Sequence, residues 1–144
     1  MGTRSSIAIL NDDGIIRSII CHYDGYIHHC GDILYHNYDN ECKINELIMY
    51  GGILHLKNIS SINEYVNGGW LTFEKHENIE SWVNHYSYVE YYYIFINGEW
   101  YVKSGVSDNK LMSFKIDSGG TIFFIKEYED DGNYSNGLPI NWGN

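Results

Sequence analysis

The densest group of side chains able to do chemistry lies between residues 21 and 42: Cys21, His22, Asp24, His28, His29, Cys30, His36 and Cys42. All three cysteines and four of the seven histidines fall there. Thiolates and imidazoles are the ligands zinc prefers, but structural zinc sites bring short paired spacings such as Cys-x2-Cys, and none occurs. No metal and no cofactor is therefore expected, and Cys30 and Cys42 read instead as small residues on the apolar faces of helical segments. Cys21, His22 and Asp24 have the composition of a nucleophile, a base and its orienter. Neighbours on a strand point to opposite faces, so Cys21 and His22 cannot pair directly, and no catalytic residue is assigned. What remains is a turn: Asp24 can bond its own backbone two residues on, and Gly25 is conformationally free. Beside it, Tyr23 and Tyr26 offer flat faces and hydroxyls. His22, Tyr23, Asp24 and Tyr26 are the first candidate binding residues.

A second candidate surface is aromatic and acidic. Tyr86, Tyr88, Tyr91, Tyr92, Tyr93, Phe95, Trp100 and Tyr101 line a predicted hairpin, where cross-strand ring pairs stabilise a sheet and tyrosines also suit an interface. Tyr91 and Tyr93 are taken as candidate contacts. The run Glu127, Glu129, Asp130 and Asp131, with Glu74, Glu77, Glu80, Glu90 and Glu99 before it, would imitate a nucleic-acid backbone if aligned on one surface. Glu127, Glu129, Asp130 and Asp131 complete the candidate set.

The elements that must position these residues follow from pattern. Ser6 to Leu10 and Ile15 to Cys21 are β-branched runs around Asn11-Asp12-Asp13-Gly14, an N-terminal hairpin. Residues 22–31 read as a loop. Asp32 to Tyr38 suits a short helix, and a clearer one starts at an Asn40 cap and stops at Gly51-Gly52. Ile53 to Leu56 reads as extended, and 57–77 as a loop with a helical turn near Ile62 to Val66. Asn78 caps a helix through Tyr86. Tyr88 to Ile96 and Trp100 to Ser104 flank Asn97-Gly98, and Leu111 to Ile116 and Thr121 to Tyr128 flank Asp117-Ser118-Gly119-Gly120. Hairpins at both ends predict one α+β domain over residues 1–144, an antiparallel or mixed sheet with two or three helices on one face. The acidic tail from about residue 129 is expected to lie loosely on the surface.

Composition narrows the partners. With 44% hydrophobic and 16% aromatic residues in 144, the chain can bury a core without staples. Nine basic against nineteen acidic residues give a charge of −10, divided as four basic and eight acidic over 1–72 and five and eleven over 73–144. Such a chain repels phosphate, so no direct nucleic-acid binding is expected and a basic protein is the natural partner. No run approaches a membrane span and the start lacks an apolar signal core, which predicts a cytoplasmic protein without membrane contact. Neither a phosphate-binding loop nor a dinucleotide fingerprint occurs.

The opening Met-Gly-Thr-Arg-Ser-Ser-Ile-Ala-Ile, then Cys21-His22-Tyr23-Asp24-Gly25-Tyr26, Gly31-Asp32-Ile33-Leu34 with Tyr38, and Glu90-Tyr91 to Trp100-Tyr101-Val102, together resemble a group of small bacteriophage and prophage proteins. In that group the central motif reads Cys-His-Trp-Asp-Gly-Tyr-Pro, so Tyr23 and Ile27 are departures that leave the turn in place. The resemblance implies a phage accessory protein acting in a bacterial host. Joined to the charge, it gives the expected function: a non-enzymatic, stoichiometric inhibitor of host defence, like an anti-CRISPR protein, binding a basic host protein such as a nucleic-acid-guided nuclease. Two other readings compete, a small-ligand module holding a nucleotide signal at 22–31, and a metal- or Cys/His-dependent enzyme.

Overall fold

The computed structural model describes residues 2–57, 72–105 and 110–129. The first hairpin forms where its turn chemistry places it. Strand β1 (Ser5–Leu10) runs antiparallel to β2 (Ile16–Tyr23), and Gly14 takes a φ of 82° in the turn. Arg17 closes that turn, reaching Asp13 Oδ2 at 2.9 Å and Asn11 Oδ1 at 2.8 Å, and its hydrogen bond holds the Asp13 carboxyl below its ordinary pKa.

The loop expected at 22–31 is instead divided. β2 continues to Tyr23, and Ile27–Gly31 coil into a short π-helix that leads into α1 (Asp32–Asn37). Helix α2 (Glu41–Tyr50) begins at the Asn40 cap, whose side chain accepts from the Lys43 amide at 2.9 Å, and ends at Gly51 with φ 103°. Strand β3 (Ile53–His55) follows. The helical turn expected near Ile62 to Val66 lies outside the described residues, as do Asp130 and Asp131. Within the segment read as loop, β4 (Glu74–His76) is a strand. Helix α3 (Ile79–His85) carries a reciprocal cap, with Ser81 N donating to Asn78 Oδ1 at 2.8 Å and Asn78 N to Ser81 Oγ at 3.3 Å. The last elements among the described residues are β5 (Tyr91–Ile96), β6 (Glu99–Ser104), β7 (Met112–Ile116) and β8 (Ile122–Glu127).

These strands make one mixed sheet in the order β3-β2-β1-β5-β6-β7-β8, with β4 also on β2, and the fold is α+β as expected. The two ends of the chain meet where β1 lies parallel to β5, Ile7 opposite Tyr93. The outer edge of β2 serves two partners in succession, β4 at Ile16 to Ser18 and β3 at Cys21 to Tyr23. Strand alternation then sorts the core into two layers. Ile7, Ile9, Ile19, Tyr93, Phe95, Trp100 and Val102 pack under Leu34 of α1 and Ile44, Leu47 and Ile48 of α2. Ala8, Ile16, Ile20, Tyr92, Ile94 and Tyr101 pack under Trp82 of α3. Two helices thus share one face as expected, while the third covers the opposite face. The sequence periodicity of α3 marks an apolar stripe without saying which side of the sheet it meets.

Candidate functional site

The expected site at the hairpin end is real as a structure, but its side chains diverge. Asp24 sits at φ 59°, a left-handed conformation that Asp tolerates through local hydrogen bonding. This bend carries the chain off β2, and Gly25 N donates to Thr3 O at 2.8 Å. Tyr93, wholly buried, donates its hydroxyl to Gly25 O at 2.6 Å, and burial pushes its pKa well above the ordinary phenol value. Tyr93 is therefore a core post beneath the turn and not a surface contact, which corrects the expectation drawn from the tyrosine run. Tyr91 is half-buried and stacks on Tyr93 with centroids 6.2 Å apart.

On the outside of the turn, Asp24 Oδ2 meets His55 Nδ1 at 3.2 Å, and the Tyr23 ring stacks on His55 at 5.2 Å. His55, from β3, is the partner that local sequence could not reveal, because it comes into place through the pairing of Tyr23 with His55 across β2 and β3. His22 alternates to the opposite face, where burial and then the Arg4 charge lower its pKa. Tyr26 is exposed and tilts toward His29, 6.0 Å away. The structure thus brings Tyr23, Asp24 and His55 together, sets the His22 ring tilted 6.5 Å from that of Tyr23, and turns Tyr26 toward His29.

Both cysteines near the turn are enclosed. Cys21 and Cys30 are fully buried, Cys30 Sγ lies 3.9 Å from Ser5 Oγ, and burial pushes the Cys30 thiol well up. Cys30 fills the core as its helical placement implied. Cys42 is exposed, which corrects its assignment to an apolar face. Among the described residues, no group of three or more His, Cys, Asp or Glu is placed to hold a metal ion. None of their helices is long and apolar enough to cross a membrane.

No protein-family model matches the chain, and neither a curated protein nor a solved structure matches it. Its chemistry rests on its own geometry.

Sequence reasoning missed a buried polar network on the α3 side. His76 Nε2 lies 2.8 Å from Ser18 Oγ, Ser18 Oγ donates to the Tyr86 hydroxyl at 3.1 Å, and Trp82 Nε1 donates to Ser6 Oγ at 2.9 Å. Ser6 Oγ in turn donates a hydrogen bond to Ile19 O at 3.0 Å. A serine at hydrogen-bond distance from a histidine suggests an activated nucleophile. Ser18 is wholly buried, however, so no substrate reaches it, and the network serves to satisfy polar groups under the helix. Fifty-eight residues separate Ser18 from His76, and no local spacing could announce the pair.

Burial, and secondarily the nearby His85, lowers the His76 pKa to about 4. An unfolded imidazole titrates near about 6.5, so the unfolded chain binds the extra proton between these values and stability rises with pH across that window. The contribution is complete above about pH 6.5 and disappears as pH falls to about 4, a loss of roughly 2 kcal/mol after allowing for solvent relaxation around the ring. Urea unfolding of the wild type and His76→Gln at a series of pH values checks this. The difference between the two curves should change through that window, and a constant difference would refute the assignment.

The acidic candidates disperse. Glu127 is exposed and pairs with Lys110 at 3.7 Å, Glu129 is exposed, and Glu99 pairs with Lys126 at 3.3 Å. Glu74 lies in β4, Glu77 just after it and Glu80 in the first turn of α3, away from β8 in the sheet order. What joins the Glu127 end into a surface is apolar: Phe123, Phe124 and Ile125 of β8 are 48%, 53% and 54% exposed. Beside them opens a cleft of about 580 Å³ lined by Tyr35, Phe95, Trp100, Phe114 and Ile125, with Asp39 and Glu99 among its polar residues.

Proposed function

We propose that the chain is a non-enzymatic, stoichiometric binding protein whose partner is a basic protein. In the phage setting implied by its sequence resemblance, it works in the cytoplasm of a bacterial host as an inhibitor of a defence system, with a nucleic-acid-guided nuclease as the target class. The observation that carries this reading is the exposed Phe123-Phe124-Ile125 segment on a chain of charge −10. Contiguous exposed apolar side chains mark interaction surfaces, and excess negative charge steers the encounter toward a basic partner. The burial of Ser18, Cys21 and Cys30 supports binding over catalysis, since it takes these nucleophiles out of contact with solvent.

Affinity capture from bacterial lysate with tagged full-length chain tests the reading. At low salt a basic nucleoprotein nuclease should be recovered, and raising the salt should release it because screening weakens exposed charge interactions. Cleavage by the recovered nuclease should fall in proportion to added chain and reach background near equimolar ratio. Recovery of no basic nucleoprotein at low salt refutes the proposal, as does undiminished cleavage at about tenfold molar excess, where a stoichiometric binder must saturate its target.

A further inference from the structure

Strand β8 ends the sheet: among the described residues it pairs only with β7. Its hydrogen-bonding directions can be read from the turn. Asp117 N donates to Thr121 O at 3.0 Å, and the register then sets Ile122 opposite Ile116, Phe123 opposite Lys115 and Phe124 opposite Phe114. Antiparallel alternation turns the backbone of Phe123 toward β7 and the N–H and C=O groups of Ile122 and Phe124 toward the open edge. Consecutive side chains of a strand lie on opposite faces, so exposure of Phe123, Phe124 and Ile125 in succession leaves apolar surface on both sides of that edge. Native sheets ordinarily blunt such an edge with charge, proline or a covering element. A helix laid on the sheet would meet one face only. An added strand meets both faces and the open row of backbone groups at once.

The geometry points to β8 as an acceptor for strand addition, its occupant an extended, lysine- or arginine-bearing segment of a partner protein. This rests on the reading of the chain as a binding protein and names the mode of contact. Charge selects the occupant. Lys126 within β8 is already paired with Glu99 and Lys110 with Glu127, Lys115 stands opposite Phe123 on β7, and the exposed Glu129 follows the strand. Asp39, Glu99 and Lys115 line the adjoining aromatic cleft, where the stem of a basic side chain from the added strand would lie against Phe95 and Trp100 with its charge toward Asp39, Glu99 being held by Lys126. A second copy of this chain brings another −10 to the same edge and is disfavoured.

The test uses full-length protein and two capped probe peptides of about ten residues, one alternating lysine with valine and one alternating glutamate with valine. Hydrogen exchange is followed amide by amide. The lysine peptide should slow exchange at Ile122 and Phe124 at least about tenfold and leave Phe123, already bonded to β7, little changed. Raised salt should remove the effect, and the glutamate peptide should not produce it. Phe124→Pro deletes an outward amide without removing a bond to β7, and Phe123→Lys places charge at the edge while leaving the backbone intact. Both should abolish protection by the peptide. Equal protection by both peptides, or none at saturation by the lysine peptide, overturns the proposal. So does protection of Ile122 and Phe124 in the free chain, whether its own remaining sequence or a second copy covers the edge, with sedimentation distinguishing the two. A Phe123→Lys variant that loses the peptide yet still captures and inhibits the nuclease would refute strand addition and leave the inhibitor reading standing.

Discussion

Trp82→Ala should destabilise the protein by about 3–5 kcal/mol, the range for emptying an aromatic site in a packed core. Trp82 is wholly buried, and it is the largest side chain that α3 contributes to the second core layer. Its ring meets Tyr92 edge-on at 5.6 Å with planes 82° apart, a favourable aromatic arrangement that truncation removes along with the buried area. The indole N–H also satisfies Ser6 Oγ, which has no exposure to solvent. Removing the ring therefore opens a cavity and strips a donor from a buried hydroxyl. Trp82→Phe separates these contributions: it keeps most of the packing and loses the hydrogen bond, and about 1–2 kcal/mol is expected. Chemical denaturation with far-ultraviolet and near-ultraviolet detection checks both. A cost below about 1 kcal/mol for Trp82→Ala would mean that α3 does not anchor this face.

How much of this was legible follows from the range of each signal. Asn78 before Ile79 and Asn97-Gly98 between apolar runs act over a few residues, and the cap and the turn form there, with Asn97 at φ 51° and Gly98 at φ 83°. Asp117 likewise holds its own turn, accepting from the amides of Gly119 and Thr121, each at 2.9 Å. Glu74-Lys75-His76 carries no such signal. Its exposed residues have low strand preference, and it becomes β4 only because the outer edge of β2 is free at Ile16 to Ser18 once β3 has taken Cys21 to Tyr23. The face chosen by α3 and the meeting of Ser18 with His76 depend on the same long-range pairing.

The candidate site divided along the same line. Asp24-Gly25 was readable as a turn from its two residue types, whereas the inward direction of Tyr93 depended on the parallel pairing of β1 and β5. The tyrosines of β5 read as sheet-stabilising rings that also suit an interface, with Tyr91 and Tyr93 as candidate contacts. Alternation sends Tyr92 to the α3 face, where its hydroxyl donates to Tyr86 O at 2.8 Å, and Tyr93 to the other, where it supports the turn. The exposed edge was hidden for the opposite reason. Thr121 to Tyr128 reads as one arm of a hairpin, and nothing in its apolar run Ile122, Phe123, Phe124 and Ile125 says whether a further strand covers its outer side.

Gly25→Ala should cost about 2–3 kcal/mol, the expense of overpacking where backbone cannot yield, and it should act through the start of β1. A Cβ at Gly25 would lie 2.8 Å from Ser5 Cβ, 2.8 Å from Ser5 Oγ and 2.9 Å from Thr3 O. The last contact is the severe one, since Thr3 O is held by the Gly25 amide itself at 2.8 Å and both partners are main chain. Relief requires the turn to lift from β1. That movement draws Gly25 O away from the Tyr93 hydroxyl and loosens Ser5 beside Cys30, so the strain reaches the centre of the first core layer. Tyr93→Phe, which removes only the hydroxyl, should cost less, about 1 kcal/mol, and combining the two should cost less than their sum because both act on one hydrogen bond. Unfolding curves of the two single variants and the double variant decide it. Strict additivity would show that the turn and the tyrosine are independent, and a cost below about 1 kcal/mol for Gly25→Ala would remove the steric reason for a glycine after Asp24.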